Sequence, residues 1–240
     1  DDFSDLFGMN AAGTDAKMRN TKESILEAQF TSGAGNWCTW MFGRDLVNWN
    51  NNFTWAKWVT PSRDLISAFK QEGDEVRFKE SIVYYDCNWS NYYPSDNYPF
   101  MYKCRSANSS IIKYRYADVL LLKAEALIMQ DTPDLEGAAD IIDEVRDRAK
   151  LGALPTSVRS NKNVLLNALL KERRLELAFE GQRWFDLVRL DKVEEVMNAV
   201  YSKDSGRKAQ IYTFDKNSYR LPIPQSVIDA NDKIHQNPGY

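Results

Sequence analysis

The side chains best suited to chemistry in this sequence are indoles. Trp37, Trp40, Trp49, Trp55 and Trp58 fall in one stretch with Asn36, Asn48, Asn50, Asn51, Asn52, Arg44 and Asp45. A sugar ring has apolar C–H faces and a rim of hydroxyls. A site for it needs flat aromatic faces beside short polar groups, and an Asn amide both donates and accepts. Trp37, Trp40, Asn48, Trp49, Asn50, Trp55 and Trp58 are therefore candidate glycan-binding residues. Trp89 and Tyr92 join them from a second loop, rich in Asn, Ser and Pro, that also holds Tyr93 and Tyr98. The competing reading is burial in the core, or a loop that merely covers the scaffold. Two or three aromatic contacts with a few hydrogen bonds give roughly 4–6 kcal/mol, an affinity of about millimolar to tens of micromolar.

Other chemistry is sparse. Glu172, Glu176 and Glu180 recur at four-residue spacing, with Arg173 and Arg174 between them and Arg183 three residues before Asp186. A catalytic carboxylate pair needs desolvation and a substrate cleft, whereas this run alternates with Arg and helix-core Leu. The spacing predicts helix-surface ion pairs of roughly 0.2–0.5 kcal/mol each, gathered into a network between two hairpins with Trp184 packed just past Gly181. The sole histidine, His235, lies in the tail, and the cysteines Cys38, Cys87 and Cys104 lack Cys-x-x-Cys spacing. No catalytic triad, metal site or cofactor is expected. Cys87 and Cys104 flank the Tyr-rich loop, where a disulfide closing it and a pair of free thiols both remain open. An enzymatic rival would use Asp45, Asp86 or Asp96 beside the aromatics. A further rival is a protein-interaction scaffold, or a peptide binder, with no sugar site.

The chain has 240 residues and a formal net charge of -3. No long block of one sign appears, which disfavours a nucleic-acid surface. The longest apolar run, Val119 to Leu122, ends at Lys123, far short of the ~20 residues a membrane-spanning helix needs. The first residue is Asp1 and no signal-peptide pattern precedes it, as expected of a processed chain or a fragment.

The elements that must position these groups change character near Ile111. Six of the seven tryptophans and six of the twelve tyrosines lie between Trp37 and Tyr102; beyond Ile111 helical periodicity takes over. Helices are predicted over 112–129, 135–150, 163–180 and 184–200, forming two hairpins of tetratricopeptide size. Asp131-Thr132-Pro133 breaks the first pair, and Gly181 supplies a residue with positive φ after the third helix. Two such hairpins are too few to stand alone as a solenoid. Residues 21–30 read as a short helix or a strand, 64–70 as a short helix, and 76–85, where apolar and polar residues alternate, as including a strand pair. Leu221-Pro222-Ile223-Pro224 must be extended, with Ser226 capping a last turn. The expected fold class is mainly α: tetratricopeptide-like helical hairpins with a large irregular aromatic-rich loop region and little β. Residues 1–110 form the irregular, ligand-facing region and 111–240 the hairpins and tail, packed as one domain.

Several segments together resemble the SusD/RagB family of surface glycan-binding lipoproteins. The longest is Lys171-Glu172-Arg173-Arg174-Leu175-Glu176-Leu177-Ala178-Phe179-Glu180-Gly181-Gln182-Arg183-Trp184-Phe185-Asp186-Leu187-Val188-Arg189. The second runs from Tyr114-Arg115-Tyr116-Ala117-Asp118 to Leu127, and the third is Leu221-Pro222-Ile223-Pro224-Gln225 with Gln236-Asn237-Pro238-Gly239-Tyr240. Shorter likenesses are Lys22-Glu23-Ser24-Ile25 and Gly73-Asp74-Glu75-Val76-Arg77, in the family's order. The resemblance implies the carboxy-terminal portion of a member, without its lipidated cysteine and amino-terminal hairpins. It also implies a noncatalytic glycan-binding role at the outer face of the outer membrane, lipid-anchored, with a SusC-type TonB-dependent transporter as partner. Membrane contact would be through the anchor alone.

Overall fold

A computed structural model describes residues 2–12, 15–31, 34–36, 60–86, 92–203 and 213–240. The chain divides into two compact units, Asp1–Arg183 and Trp184–Tyr240. Helix accounts for 48% of the described residues, and the described strands form only two separate two-stranded ribbons. The mainly α class expected from the sequence therefore holds.

The first unit begins with α1 (Phe3–Phe7) and β1 (Ser24–Ala28). Next come α2 (Arg63–Glu72), α3 (Glu75–Ser81), β2 (Ile82–Tyr85) and β3 (Tyr98–Met101). It continues with β4 (Ile111–Arg115), α4 (Tyr116–Met129), α5 (Leu135–Arg148), α6 (Thr156–Arg159) and α7 (Lys162–Glu176). Four of its helices, α2, α3, α5 and α7, start where a polar side chain takes an orphan N–H. Ser62 Oγ accepts from the Leu65 amide at 3.1 Å, Asp134 Oδ1 from Gly137 at 2.9 Å, and Asn161 Oδ1 from Val164 at 3.2 Å. Gly73, at φ +69°, ends α2 in the left-handed region that glycine enters without steric cost.

The hairpin α4/α5 packs with α7 around Leu121, Ala124, Ile128, Ala138, Ala139, Ile142, Val145, Leu165 and Leu169. The alanines let the helices approach closely, and the leucines fill the space between. A second cluster joins α2 to the end of α7 through Leu65, Ile66, Phe69, Ile82, Leu175 and Ala178.

Three readings of the sequence are corrected here. The helix expected from Ile112 begins only at Tyr116, because Ile111–Arg115 pairs antiparallel with β1, Leu26 opposite Tyr114 and Ala28 opposite Ile111. The strand pair expected over 76–85 is helix α3 followed by β2. Asp74 caps α3, and the partner of β2 is the distant β3, with Ile82 opposite Met101. The third helix stops at Glu176 rather than Glu180; a turn follows in which Phe179 takes φ +66° and Gly181 φ +83°.

In the second unit α8 (Arg183–Arg189) begins at the unit boundary and α9 (Val193–Lys203) follows. The single helix expected over 184–200 is broken at Asp191, whose φ is +53°. A 3-10 turn, Lys216–Tyr219, and α10 (Gln225–Asp229) complete the unit. Pro224, not Ser226, sits at the N-cap of α10. The extended Leu221–Pro224 stretch is held by the tail. The Gln236 amide accepts from Ile223 N–H at 2.8 Å and donates to its carbonyl at 2.9 Å, and Asn237 donates to the Leu221 carbonyl at 2.7 Å.

Candidate functional site

Of the candidate glycan-binding residues, Trp37, Trp40, Asn48, Trp49, Asn50, Trp55, Trp58 and Trp89 lie outside the described residues. So does Cys87, and with it the question of a Cys87–Cys104 disulfide. Tyr92 is described and half-buried. The Arg63 guanidinium at the start of α2 sits 4.4 Å from the Tyr92 ring centre and 4.2 Å from that of Tyr93, and it donates to the Tyr92 carbonyl. The two tyrosines meet edge to face at 5.0 Å, and Tyr93 meets Tyr98 in the same manner at 5.6 Å. Offset or edge contacts of this kind suit the ring quadrupole.

The same cluster ties two chain segments together. The Tyr93 hydroxyl donates to the Pro61 carbonyl at 2.8 Å, and Thr60 Oγ1 lies 3.1 Å from the Tyr98 hydroxyl. Thr60 lies two residues beyond Trp58, and Tyr92 three residues beyond Trp89. The carboxy-terminal borders of both tryptophan-bearing stretches are thus pinned to one aromatic cluster. The amino-terminal border is fixed too, since the buried Asn36 amide donates to the carbonyls of Ser106, Ala107 and Ser109 at 3.2, 3.0 and 2.7 Å. Tyr98, in β3, is 2% exposed and packs on Phe100. It belongs to the core, in a strand rather than in the loop the sequence suggested.

The Arg/Glu run is not the set of surface pairs expected from its spacing. Glu176 is 0% exposed, Glu172 and Arg173 are 2%, and the cations they meet come from elsewhere in the chain. Arg77 of α3 donates to Glu172 Oε1 at 2.5 Å, to Glu176 Oε2 at 3.0 Å and to Asp74 at 2.5 Å. Arg115 at the end of β4 donates to Glu176 Oε1 at 2.5 Å, to Glu23 at 2.7 Å, and to both oxygens of Glu180 at 2.7 and 2.9 Å. Arg148 bridges Glu23 and Glu176, Arg146 bridges Glu72 and Glu172, and Arg173 holds Asp118 at 2.8 Å. Lys103 reaches Glu180 at 2.6 Å and the Glu176 carbonyl at 2.9 Å, with its ammonium 5.1 and 4.8 Å from the Phe3 and Phe7 ring centres.

The electrostatics follow from this geometry. Burial works against a charged Glu176, but Arg115, Arg148 and Arg77 outweigh it and hold the carboxyl well below the usual range. Burial is likewise overcome at Glu180, where Arg115 and Lys103 keep the carboxylate ionised. At Glu172 and Asp74 burial prevails and pushes the carboxyl up, with Arg77 opposing. Burial also pulls the Lys103 ammonium down to about 8, against the pull of Glu180. An acid held as low as Glu176 has no proton to give near neutral pH, and its carboxylate ties together Arg77 of α3, Arg115 of β4 and Arg148 of α5. Sequence reasoning missed Lys103, Arg77, Arg115 and Glu23 as its members. A signal was present for the last three: each lies in one of the segments that carry the family resemblance.

The described residues thus form a helical-hairpin scaffold locked by buried arginine–carboxylate pairs, with the Arg63, Tyr92, Tyr93 and Tyr98 cluster as its aromatic feature. Residues 98–240 match the SusD family, and the chain belongs to it. It is similar to two SusD-like proteins of Formosa agariphila. One is 36% identical over 143 residues, which are 57% of this chain and 27% of that protein. The other is 43% identical over 99 residues, 39% of this chain and 19% of that protein. Among solved structures, a laminarin-binding SusD-like protein is 25% identical with a TM-score of 0.65, the match covering 92% of this chain and 51% of that one. Surface glycan-binding protein A from Bacteroides thetaiotaomicron, in complex with laminarihexaose, shares the fold with a TM-score of 0.71 at 19% identity, over 98% of this chain and 55% of that one. The matched residues thus cover about half the length of these solved relatives and about a quarter or less of the two from Formosa.

Proposed function

We propose that this protein binds oligosaccharide or polysaccharide without turning it over, at the bacterial cell surface, and passes it to a SusC-type TonB-dependent transporter. The observation that carries the reading is membership of the SusD family, together with likeness along nearly the whole chain to a laminarin-binding SusD-like protein. Trp37, Trp40, Asn48, Trp49, Asn50, Trp55, Trp58, Trp89 and Tyr92 are the proposed contacts. Support for grouping them comes from Arg63, Tyr92, Tyr93 and Thr60, which tie the borders of both stretches to one cluster. A noncatalytic role is supported by the Arg/Glu run, whose carboxylates are sealed in ion pairs. Residence at the outer face of the outer membrane on a lipid anchor is part of the same proposal. Among the described residues no helix is long and apolar enough to cross a membrane.

Affinity electrophoresis through gels holding single polysaccharides, laminarin among them, tests the reading. At least one gel retards the protein, and Trp37→Ala, Trp40→Ala and Trp55→Ala together abolish the retardation. A reducing-end assay on the retarding polysaccharide stays at background. Retardation by none of a broad panel would defeat the sugar-binding claim, and release of reducing ends would defeat the noncatalytic one.

A further inference from the structure

Among the described residues Lys103 is the one buried lysine, at 6% exposure, and it forms part of a cavity wall. The cavity holds about 230 Å³ and is bounded by Phe7 of α1, Met101 of β3, Ile112 of β4, and Phe179 and Glu180 of the turn after α7. Phe7 and Glu180 are also side chains that meet the ammonium, at 4.8 Å from the ring centre and 2.6 Å from Oε1. The nitrogen therefore stands where the cavity adjoins the buried charge network.

This amine differs from a surface lysine in kind. Burial beside Phe3 and Phe7 disfavours its ammonium, and the Arg115 guanidinium, which shares Glu180 with it, adds to the effect. Together they outweigh Glu180 and Glu176 and bring the ammonium down to about 8. A lysine desolvated beside a second cation is an activated nucleophile. Glu180 keeps a partner when Lys103 loses its charge, since Arg115 donates to both carboxylate oxygens at 2.7 and 2.9 Å. A neutral nitrogen at this position strands no carboxylate.

We propose that Lys103 is a covalent capture site for small aromatic aldehydes, which enter the cavity and condense with its ε-amine to an imine. The neutral nitrogen attacks the carbonyl carbon and a C–N bond forms. The C–O bonds break, and the oxygen leaves as water with the two amine hydrogens. The ammonium proton goes beforehand to solvent, because Arg115 and Lys103 hold Glu180 ionised. The step is reversible and needs no oxidant or reductant. The class of ligand follows from the walls. An apolar cavity of about 150 Å³ is enough for benzene, so about 230 Å³ accommodates a benzene ring with its formyl group. Phe7 and Phe179 offer that ring aromatic contact. An open-chain sugar aldehyde, with a hydroxyl on every other carbon, is poorly matched to these walls, and the inference does not rest on the glycan reading.

Reductive trapping tests it. The protein is held with benzaldehyde and sodium cyanoborohydride near neutral pH, and benzylation of each lysine is followed by peptide mass spectrometry. Lys103 gains the benzyl group at least about tenfold faster than Lys113 and Lys150, both exposed, as its larger share of neutral amine requires. Excess toluene, an unreactive ring of similar size, slows Lys103 severalfold and leaves Lys150 unchanged. In urea sufficient to unfold the chain, Lys103 reacts like the other two. A rate for Lys103 in the folded protein no greater than those of the exposed lysines would overturn the proposal. So would a fast Lys103 that toluene fails to protect.

Discussion

At the scale of single residues, buried charge governs this molecule. Glu176 accepts from Arg77, Arg115 and Arg148. Removing one member of a buried pair strands the others without solvent, at a cost of about 3–5 kcal/mol. Glu176→Gln is therefore expected to lower unfolding free energy by that order in urea titrations at neutral pH. Because the folded-state pKa of Glu176 is depressed, its stabilising effect is present above the ordinary carboxylate range and is lost as pH falls through the folded value. The gap between wild type and Glu176→Gln should therefore shrink on acidification. Lys103 runs the other way. Its ammonium falls from an ordinary 10.5 to about 8, so between those values the unfolded chain binds more protons than the folded one. Stability relative to Lys103→Met should then rise with pH across that window. A pH series of denaturation curves for the pair checks the sign; a flat difference would contradict the assignment. None of this was legible in helical spacing, because the partners of Glu176 lie 99, 61 and 28 residues away in sequence. Spacing reveals only neighbours on one helix.

At the scale of elements, the sequence was most legible where local signals agree. α5 has its Asp134 cap, its apolar face and a Thr-Pro break before it, and it forms as read. The misreadings fall where a distant partner decides. Ile111 and Ile112 fit a helical apolar pattern, yet the pairing with Leu26 to Ala28 draws them into a strand. Val76, Phe78 and Glu80 suggested alternation, yet Asp74 accepts from the Arg77 amide at 3.1 Å and starts a helix. Two element-scale outcomes follow. Leu165→Ala, at 0% exposure between α4, α5 and α7, should cost about 2–5 kcal/mol in chemical denaturation. Gly73→Ala should cost about 1–2 kcal/mol from its positive φ alone, since an added Cβ there meets nothing within 4 Å.

At the scale of the whole molecule, the segments that resemble the family turn out to be structural. Glu23, Arg77, Arg115 and the Glu172–Glu180 run meet in one network, and the Leu221–Pro224 stretch is clasped by the terminal Gln236 and Asn237. The family likeness therefore reports a scaffold, while the proposed ligand contacts fall in the composition-biased stretches between its pieces. That division explains why the fold could be read from motifs but the ligand could not. The buried network needs specific charges at fixed positions, whereas an aromatic platform tolerates many arrangements of indole and amide. The measurement that bears most directly on the glycan account is acrylamide quenching of tryptophan emission in a Trp184→Phe background, with and without a gel-retarding polysaccharide. A fraction of the emission should be readily quenched in the free protein and become shielded as polysaccharide is added. Emission resistant to quenching from the start, and unchanged by any polysaccharide, would show the indoles sealed inside and contradict it.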